Sequence, residues 1–132
     1  MYFKIKINRT IVTENNKYKD ITETYLTEAE HFADAGYKLI QELGKDIEVE
    51  DISMQKSLKP AVNEYFDNSK IFIVKIAEDV FEDCLIKTIK YAMPVFAYSS
   101  NDVYQIMKDY ISQGFENMRI TTISETKWIW IE

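Results

Sequence analysis

Two short stretches decide how this chain is read: Tyr2-Phe3-Lys4-Ile5-Lys6-Ile7 and Ile71-Phe72-Ile73-Val74-Lys75-Ile76. Phe3/Phe72, Ile5/Val74, Lys6/Lys75 and Ile7/Ile76 coincide at an offset of 69 positions. Further along, Ile21/Ile89, Tyr25/Met93 and Ala29/Ala97 coincide at an offset of 68, and Ile47 to Ser53 answers Met118 to Ser124 at an offset of 71. One such pairing is within reach of chance. Three collinear blocks, with the offset changing only where loops are expected, indicate a tandem duplication.

Each repeat has a local reading. In the first, Phe3, Ile5 and Ile7 alternate with Tyr2, Lys4 and Lys6, the period of a strand with one buried face. Asn15-Asn16 marks a hairpin, because asparagine tolerates left-handed dihedrals. A return strand from Tyr18 to Ala29 follows. Ala33, Gly36, Tyr37, Ile40 and Leu43 recur at helical spacing, and Gly44 is placed to close that helix. Ile47, Val49 and Ile52 open another strand, with a further one expected over Val62 to Phe66 beyond Pro60. The second repeat predicts strands over Lys70 to Ala77 and Leu85 to Ala97. Its helix starts at the capping cluster Ser99-Ser100-Asn101-Asp102, carries Val103, Ile106, Met107 and Tyr110, and ends at Gly114. A last strand is expected from Met118 to Ile131.

The fold class that follows is α+β: a duplicated β-β-α-β unit with a mostly antiparallel sheet and two helices on one face. About 65 residues bury a marginal core. The repeats, residues 1–67 and 68–132, are therefore expected to share one sheet layer in a single domain over 1–132, with homo-oligomerisation as a natural extension of the internal symmetry.

Composition narrows the function classes. Among 132 residues there are 3 Gly, 2 Pro, 1 His and 1 Cys, with 46% hydrophobic and 29% charged residues. The isolated glycines Gly36, Gly44 and Gly114 write no phosphate-cradling loop. A single Cys and a single His cannot build a closed Cys/His zinc site, and no cofactor is expected. Sixteen basic against 22 acidic residues give a net charge of −6, and a pI near 4.9. That balance argues against nucleic acid as a partner, since phosphate contacts need Lys and Arg. The lone cysteine and the absence of a long apolar segment lead to an expected cytoplasmic location and no membrane span.

The opening Tyr2-Phe3-Lys4, the stretch from Ile21 to Ala35 and the late Ile120-Thr121-Thr122-Ile123-Ser124-Glu125-Thr126-Lys127 resemble an uncharacterised family of small proteins from Bacteroidetes and their bacteriophages. That family shows an aromatic-rich first strand, a "V-T-E-x-Y-L-V-x-A" strand, an "S-F-T-E-A-E" helix start and a late "I-x-E-T-K" segment. The chain departs from it at Thr27, where the pattern has Val, and at His31 to Ala35, which lack the Ser and Thr of the cap. The resemblance implies a phage or mobile-element setting and carries no catalytic residues.

Candidate chemistry is sparse. His31 and Cys84 form the one conceivable Cys-His pair, but Glu82-Asp83 beside Cys84 opposes thiolate formation. The acidic groups Glu78-Asp79, Glu82-Asp83 and Asp46-Glu48-Glu50-Asp51 lack the spacing and turn glycine of a calcium loop and suit solvated strand edges. The most informative segment is Thr126-Lys127-Trp128-Ile129-Trp130-Ile131. Strand alternation puts Trp128 and Trp130 on one face and Ile129 and Ile131 on the other, so both faces are apolar. With Tyr2 on the outward face, the tryptophans would make either core or a patch for a partner.

The expected function is that of a non-catalytic binding protein of phage or prophage origin, working in counter-defence or host takeover. Its partner would be a host protein or a small signalling nucleotide. Arg9, Arg119, Lys127, Trp128 and Trp130 are the candidate binding residues, pairing cations for phosphate with aromatic rings for stacking. A virion or assembly component, and a hydrolase working from carboxylates alone, are the alternatives.

Overall fold

The computed structural model describes residues 1–44, 48–54, 59–114 and 117–132, with residues 48–54 as backbone only. Among these are seven strands and two helices: β1 (Tyr2–Val12), β2 (Tyr18–Glu28), α1 (Phe32–Leu43), β3 (Glu48–Met54), β4 (Lys70–Glu82), β5 (Leu85–Ala97), α2 (Ser100–Ser112), β6 (Met118–Glu125) and β7 (Ile129–Ile131). The chain is α+β, and β-β-α-β occurs twice. No described helix is long and apolar enough to cross a membrane.

The duplication shows in the ladders. The β1/β3 register runs Phe3↔Met54, Ile5↔Ile52, then shifts between Lys6 and Ile7. The β4/β6 register runs Phe72↔Glu125, Val74↔Ile123, then shifts between Lys75 and Ile76. Partner for partner these are the offsets of 69 and 71 seen in the sequence, and even the bulge recurs at the same place. A bulge adds one residue to one strand and re-aims the side chains beyond it. Its recurrence is therefore a structural match independent of residue identity. Hairpin pairing agrees as well, with Ile5 opposite Tyr25 and Val74 opposite Met93. The turns follow local chemistry: Asn16 takes a positive φ of 56° in the first hairpin, and Asp83 and Cys84 take 50° and 63° in the second.

The expected shared layer is not formed. The strands make two sheets, ordered β3-β1-β2-β7 and β5-β4-β6. They belong to two compact units, one of Met1–Gln55 with Trp128–Glu132 and one of Lys56–Lys127. The division is not the midpoint cut between residues 67 and 68, because the tail of each repeat serves the other unit. β7 runs parallel to β2, with Tyr25 opposite Ile129 and Thr27 opposite Ile131. In the second unit the Lys59 amide donates to the Ala92 carbonyl (2.8 Å) and the Val62 amide to the Pro94 carbonyl (3.2 Å), so this strap also runs parallel to its neighbour, β5. β7 thus covers the β2 edge over Tyr25 to Thr27, and the strap covers the β5 edge at Ala92 and Pro94.

Side chains pin both tails. The Thr27 hydroxyl, fully buried, donates to the Ile131 carbonyl at 2.9 Å. The Asn63 amide donates to the Phe96 carbonyl (2.7 Å) and its oxygen accepts from the Phe96 amide (2.9 Å). Two strand expectations change accordingly. Val62 to Phe66 is no strand but the end of the strap and the loop after it, and the expected strand from Met118 to Ile131 breaks at residues 126–128.

Each unit has its own core. Phe3, Ile5, Ile7 and Tyr25 meet Ala35, Leu39 and Ile131 in the first. Phe72, Val74, Ile76, Met93 and Val95 meet Val103 and Met107 in the second. α2 behaves as its spacing predicts: Val103 and Met107 are buried, Ile106 and Tyr110 pack beside them, and the Ser99 side chain caps the helix by accepting from the Asp102 amide. α1 differs in phase. The row Ala35, Leu39, Leu43 faces the core, while Ala33, Tyr37 and Ile40 are exposed. Tyr37 keeps its hydroxyl in water, where Gln41 donates to it at 2.8 Å, and Phe32 stands edge-on to Phe3 in place of a side-chain cap. Gly44 ends α1 at a φ of 92°, a conformation its missing Cβ permits.

Candidate functional site

In the second unit, the β4/β5 hairpin is longer than α2 can cover. Phe72, Val74 and Ile76 lie under the helix on one face of β4, and the next residue in that alternation is Glu78. Ile89 stands opposite it on β5, and Tyr91, opposite Ile76, reaches it diagonally, its hydroxyl donating to Glu78 Oε2 at 3.0 Å. The parallel strap passes along β5 here, placing Lys59 Nζ 5.5 Å from the centre of the Tyr91 ring, a cation–π arrangement.

Together these groups line an open cleft of about 630 Å³, within the range of small-molecule sites. Its apolar surface comes from Val62, Ile89, Met93 and Met118, and Tyr110 approaches from the end of α2. Its charges are Lys59, Lys90 and Glu78. Burial pushes the Tyr91 hydroxyl up to about 12, with the hydrogen bond to the Glu78 carboxylate as the next cause. Tyr91 therefore stays protonated at neutral pH and can serve as a donor or a stacking ring, not as a base. Among the described residues that line the cleft, Glu78 is the one carboxylate.

The first unit carries a polar group at the same place in the repeat, and it is closed. Arg9 and Glu23 occupy the positions matching Glu78 and Tyr91. Arg9 Nε donates to Glu23 Oε1 at 2.6 Å, and the buried Tyr25 hydroxyl donates to the other carboxylate oxygen. Burial, then the hydrogen bond to Glu23, pushes Tyr25 up to about 12. Arg9, a candidate cation, is thus committed to a structural pair. Arg119, in the other unit, pairs with Asp79 at 3.1 Å. The hydroxyl of Thr88 and then Arg119 hold the Asp79 carboxyl below its ordinary value.

Trp128 and Trp130 lie on the face of the first sheet opposite Arg9. Lys4 Nζ stands 5.0 Å from the Trp128 ring centre, and Tyr2 and Trp130 have ring centres 6.1 Å apart. The pairing of Trp130 with Tyr2 is the grouping the alternation predicts. Both tryptophans are half-buried, Lys127 is exposed, and Ile131 on the other face is core. The five candidates accordingly fall into separate places: Trp128 and Trp130 together, Arg9 on the opposite face of that sheet, Arg119 in the second unit, and Lys127 in the connection before β7.

Cys84 is exposed in the β4/β5 turn. Of its acidic neighbours, Glu78 is bound by Tyr91, Asp79 by Thr88 and Arg119, and Glu82 lies 3.7 Å from Lys87. Asp46 lies outside the described residues, and Glu48, Glu50 and Asp51 are described as backbone only. Among the described residues no group of three or more Asp, Glu, His or Cys side chains could hold a metal.

Sequence reasoning missed Lys59, Lys90, Tyr91 and Tyr110, and took Glu78 only as part of a solvated acidic group. A signal was present: Glu78 stands in phase with Phe72, Val74 and Ile76, and a charged residue continuing a buried alternation marks either an edge or a lined cavity. Lys59 carried none, since its place depends on a strap that pairs with a strand more than thirty residues away.

A comparison with curated proteins finds no match. One family model runs through both copies of the repeat, over residues 1–131, and by that match the chain belongs to the family described as Domain of unknown function (DUF4494).

Proposed function

We propose that this is a non-catalytic binding protein of phage or prophage origin that sequesters a small signalling nucleotide of its host, in counter-defence or host takeover. The observation that carries the reading is the cleft of the second unit, with Lys59 over an apolar, tyrosine-bearing wall. Those are the two elements a nucleotide needs, a ring to stack on and a cation for phosphate. The phage setting rests on the sequence resemblance. Isothermal titration of the full chain against cyclic dinucleotides and ADP-ribose derivatives tests it. Heat from at least one ligand, lost on Lys59→Met, supports sequestration, and uniformly absent heat overturns it.

A second reading is occupation of a host protein. It is favoured by the β4/β5 arm, where Phe81 and Ile86 face one another across the hairpin at 75% and 74% exposure. Exposed apolar pairs of that size mark association surfaces, and the acidic charge suits a basic partner. Homo-oligomerisation through the same arm is checked by light scattering on the purified chain.

A further inference from the structure

Taking the cleft of the second unit as a ligand site, we infer that its ligand is a guanine nucleotide. The inference deepens the reading above and rests on it. A carboxylate accepts hydrogen bonds and donates none. One oxygen of Glu78 is already engaged by the Tyr91 hydroxyl, which orients the carboxylate against the cleft wall. A base meeting that carboxylate is favoured when it offers adjacent donors. Guanine does so through N1–H and the 2-amino group, whereas uracil flanks its single N–H with carbonyl oxygens that repel a carboxylate, and adenine offers only its 6-amino group.

The rest of the lining suits the rest of such a molecule. Lys59 stands over the Tyr91 ring, where a base can take the ammonium's place by stacking while the ammonium turns to a phosphate. Met93 and Met118 supply adaptable apolar surface. A cleft of about 630 Å³ is large enough for a mononucleotide.

The test uses the full chain with GMP, IMP, AMP, guanosine and ribose 5-phosphate as probes, read by calorimetry and by amide and side-chain NMR shifts. GMP is expected to bind more tightly than IMP, which lacks the 2-amino group, and than AMP, each by roughly tenfold or more, as one well-made bidentate pair provides. Glu78→Gln should remove that preference, because an amide offers adenine a donor and an acceptor together where the carboxylate only accepts. Lys59→Met should weaken GMP more than it weakens guanosine. The discrimination among GMP, IMP and AMP needs no variant, so a folding defect in either substitution does not hide the answer.

AMP equal to GMP, or ribose 5-phosphate equal to GMP, overturns the guanine assignment. If none of these probes binds but another small molecule from a fragment screen shifts Tyr91 and Met118 resonances, the assignment falls and the binding reading stands. If no small molecule shifts those resonances, both fall.

Discussion

The same position in the two repeats has been used in opposite ways. In the first unit Arg9, Glu23 and Tyr25 close on one another, the arginine 2.6 Å from the carboxylate and the tyrosine hydroxyl on its other oxygen. In the second, Glu78 and Tyr91 hold each other at 3.0 Å on the wall of an open cleft, and the cation near them, Lys59, arrives from the strap. Both are polar groups set where the inward face of a hairpin runs past its helix. The difference is in the partner: an arginine two residues beyond the core closes the first, and a glutamate at the same step leaves the second open. Duplication kept the scaffold, and the residues at this step differ, Arg9 and Glu23 in the first copy against Glu78 and Tyr91 in the second.

The comparison breaks most visibly at the tails. Ile131→Ala removes a core side chain of the first unit and should cost about 2–5 kcal/mol in chemical denaturation. Val62→Ala, on the half-buried strap of the second unit, should cost on the order of 1 kcal/mol. Equal losses would mean that the two tails contribute alike.

A smaller difference is expected between the polar groups. Glu23→Ala leaves the buried Tyr25 hydroxyl without its acceptor and should cost about 1–3 kcal/mol. Glu78→Ala returns a half-buried hydroxyl to water and should cost less than about 1 kcal/mol by the same measurement. A larger loss at Glu78 would recast the cleft wall as structure.

The two tyrosines offer a sharper test with no stability change needed. An ultraviolet titration should show Tyr25 and Tyr91 ionising near 12, two units above the ordinary value of 10. Because both are raised in the folded state, their contribution is fully present below pH 10, where neither state is ionised. It is lost as pH rises from 10 to 12, since the unfolded chain gives up those protons first. Glu23→Gln should lower Tyr25 alone and Glu78→Gln should lower Tyr91 alone. A single substitution moving both would contradict two independent pairs.

The smallest effect is at Asp79, which is exposed and held below its ordinary value by Thr88 first and Arg119 second. A lowered carboxylate contributes above its ordinary value, and that contribution disappears as pH falls through the folded value. Thr88→Val and Arg119→Met should therefore each raise the NMR-detected Asp79 titration. No change in either variant would contradict the two contacts that hold the carboxyl down.

Most strands, the hairpin turns, both helices and the duplication were readable from residues alone, but the expected strand over Val62 to Phe66 and the unbroken strand from Met118 to Ile131 were not formed. Strand alternation and helix capping are local, and an offset of 69 survives whatever the chain does later. The phase of α1 was less accessible, because Ala33, Tyr37 and Ile40 compete with Ala35, Leu39 and Leu43 until a sheet chooses between them. Tyr2 beside Trp130 followed from alternation, yet Arg9 was read as a free cation because its partner Glu23 is fourteen residues away across a hairpin. Only the tertiary structure decided that the strands form two sheets and that each repeat's tail completes the other unit. Which edge a strand joins depends on which backbone groups remain unpaired once the hairpins have formed, and no local pattern records that. The cleft comes from the same source: it exists because a strap from one repeat runs beside the long hairpin of the other, bringing Lys59 to Tyr91.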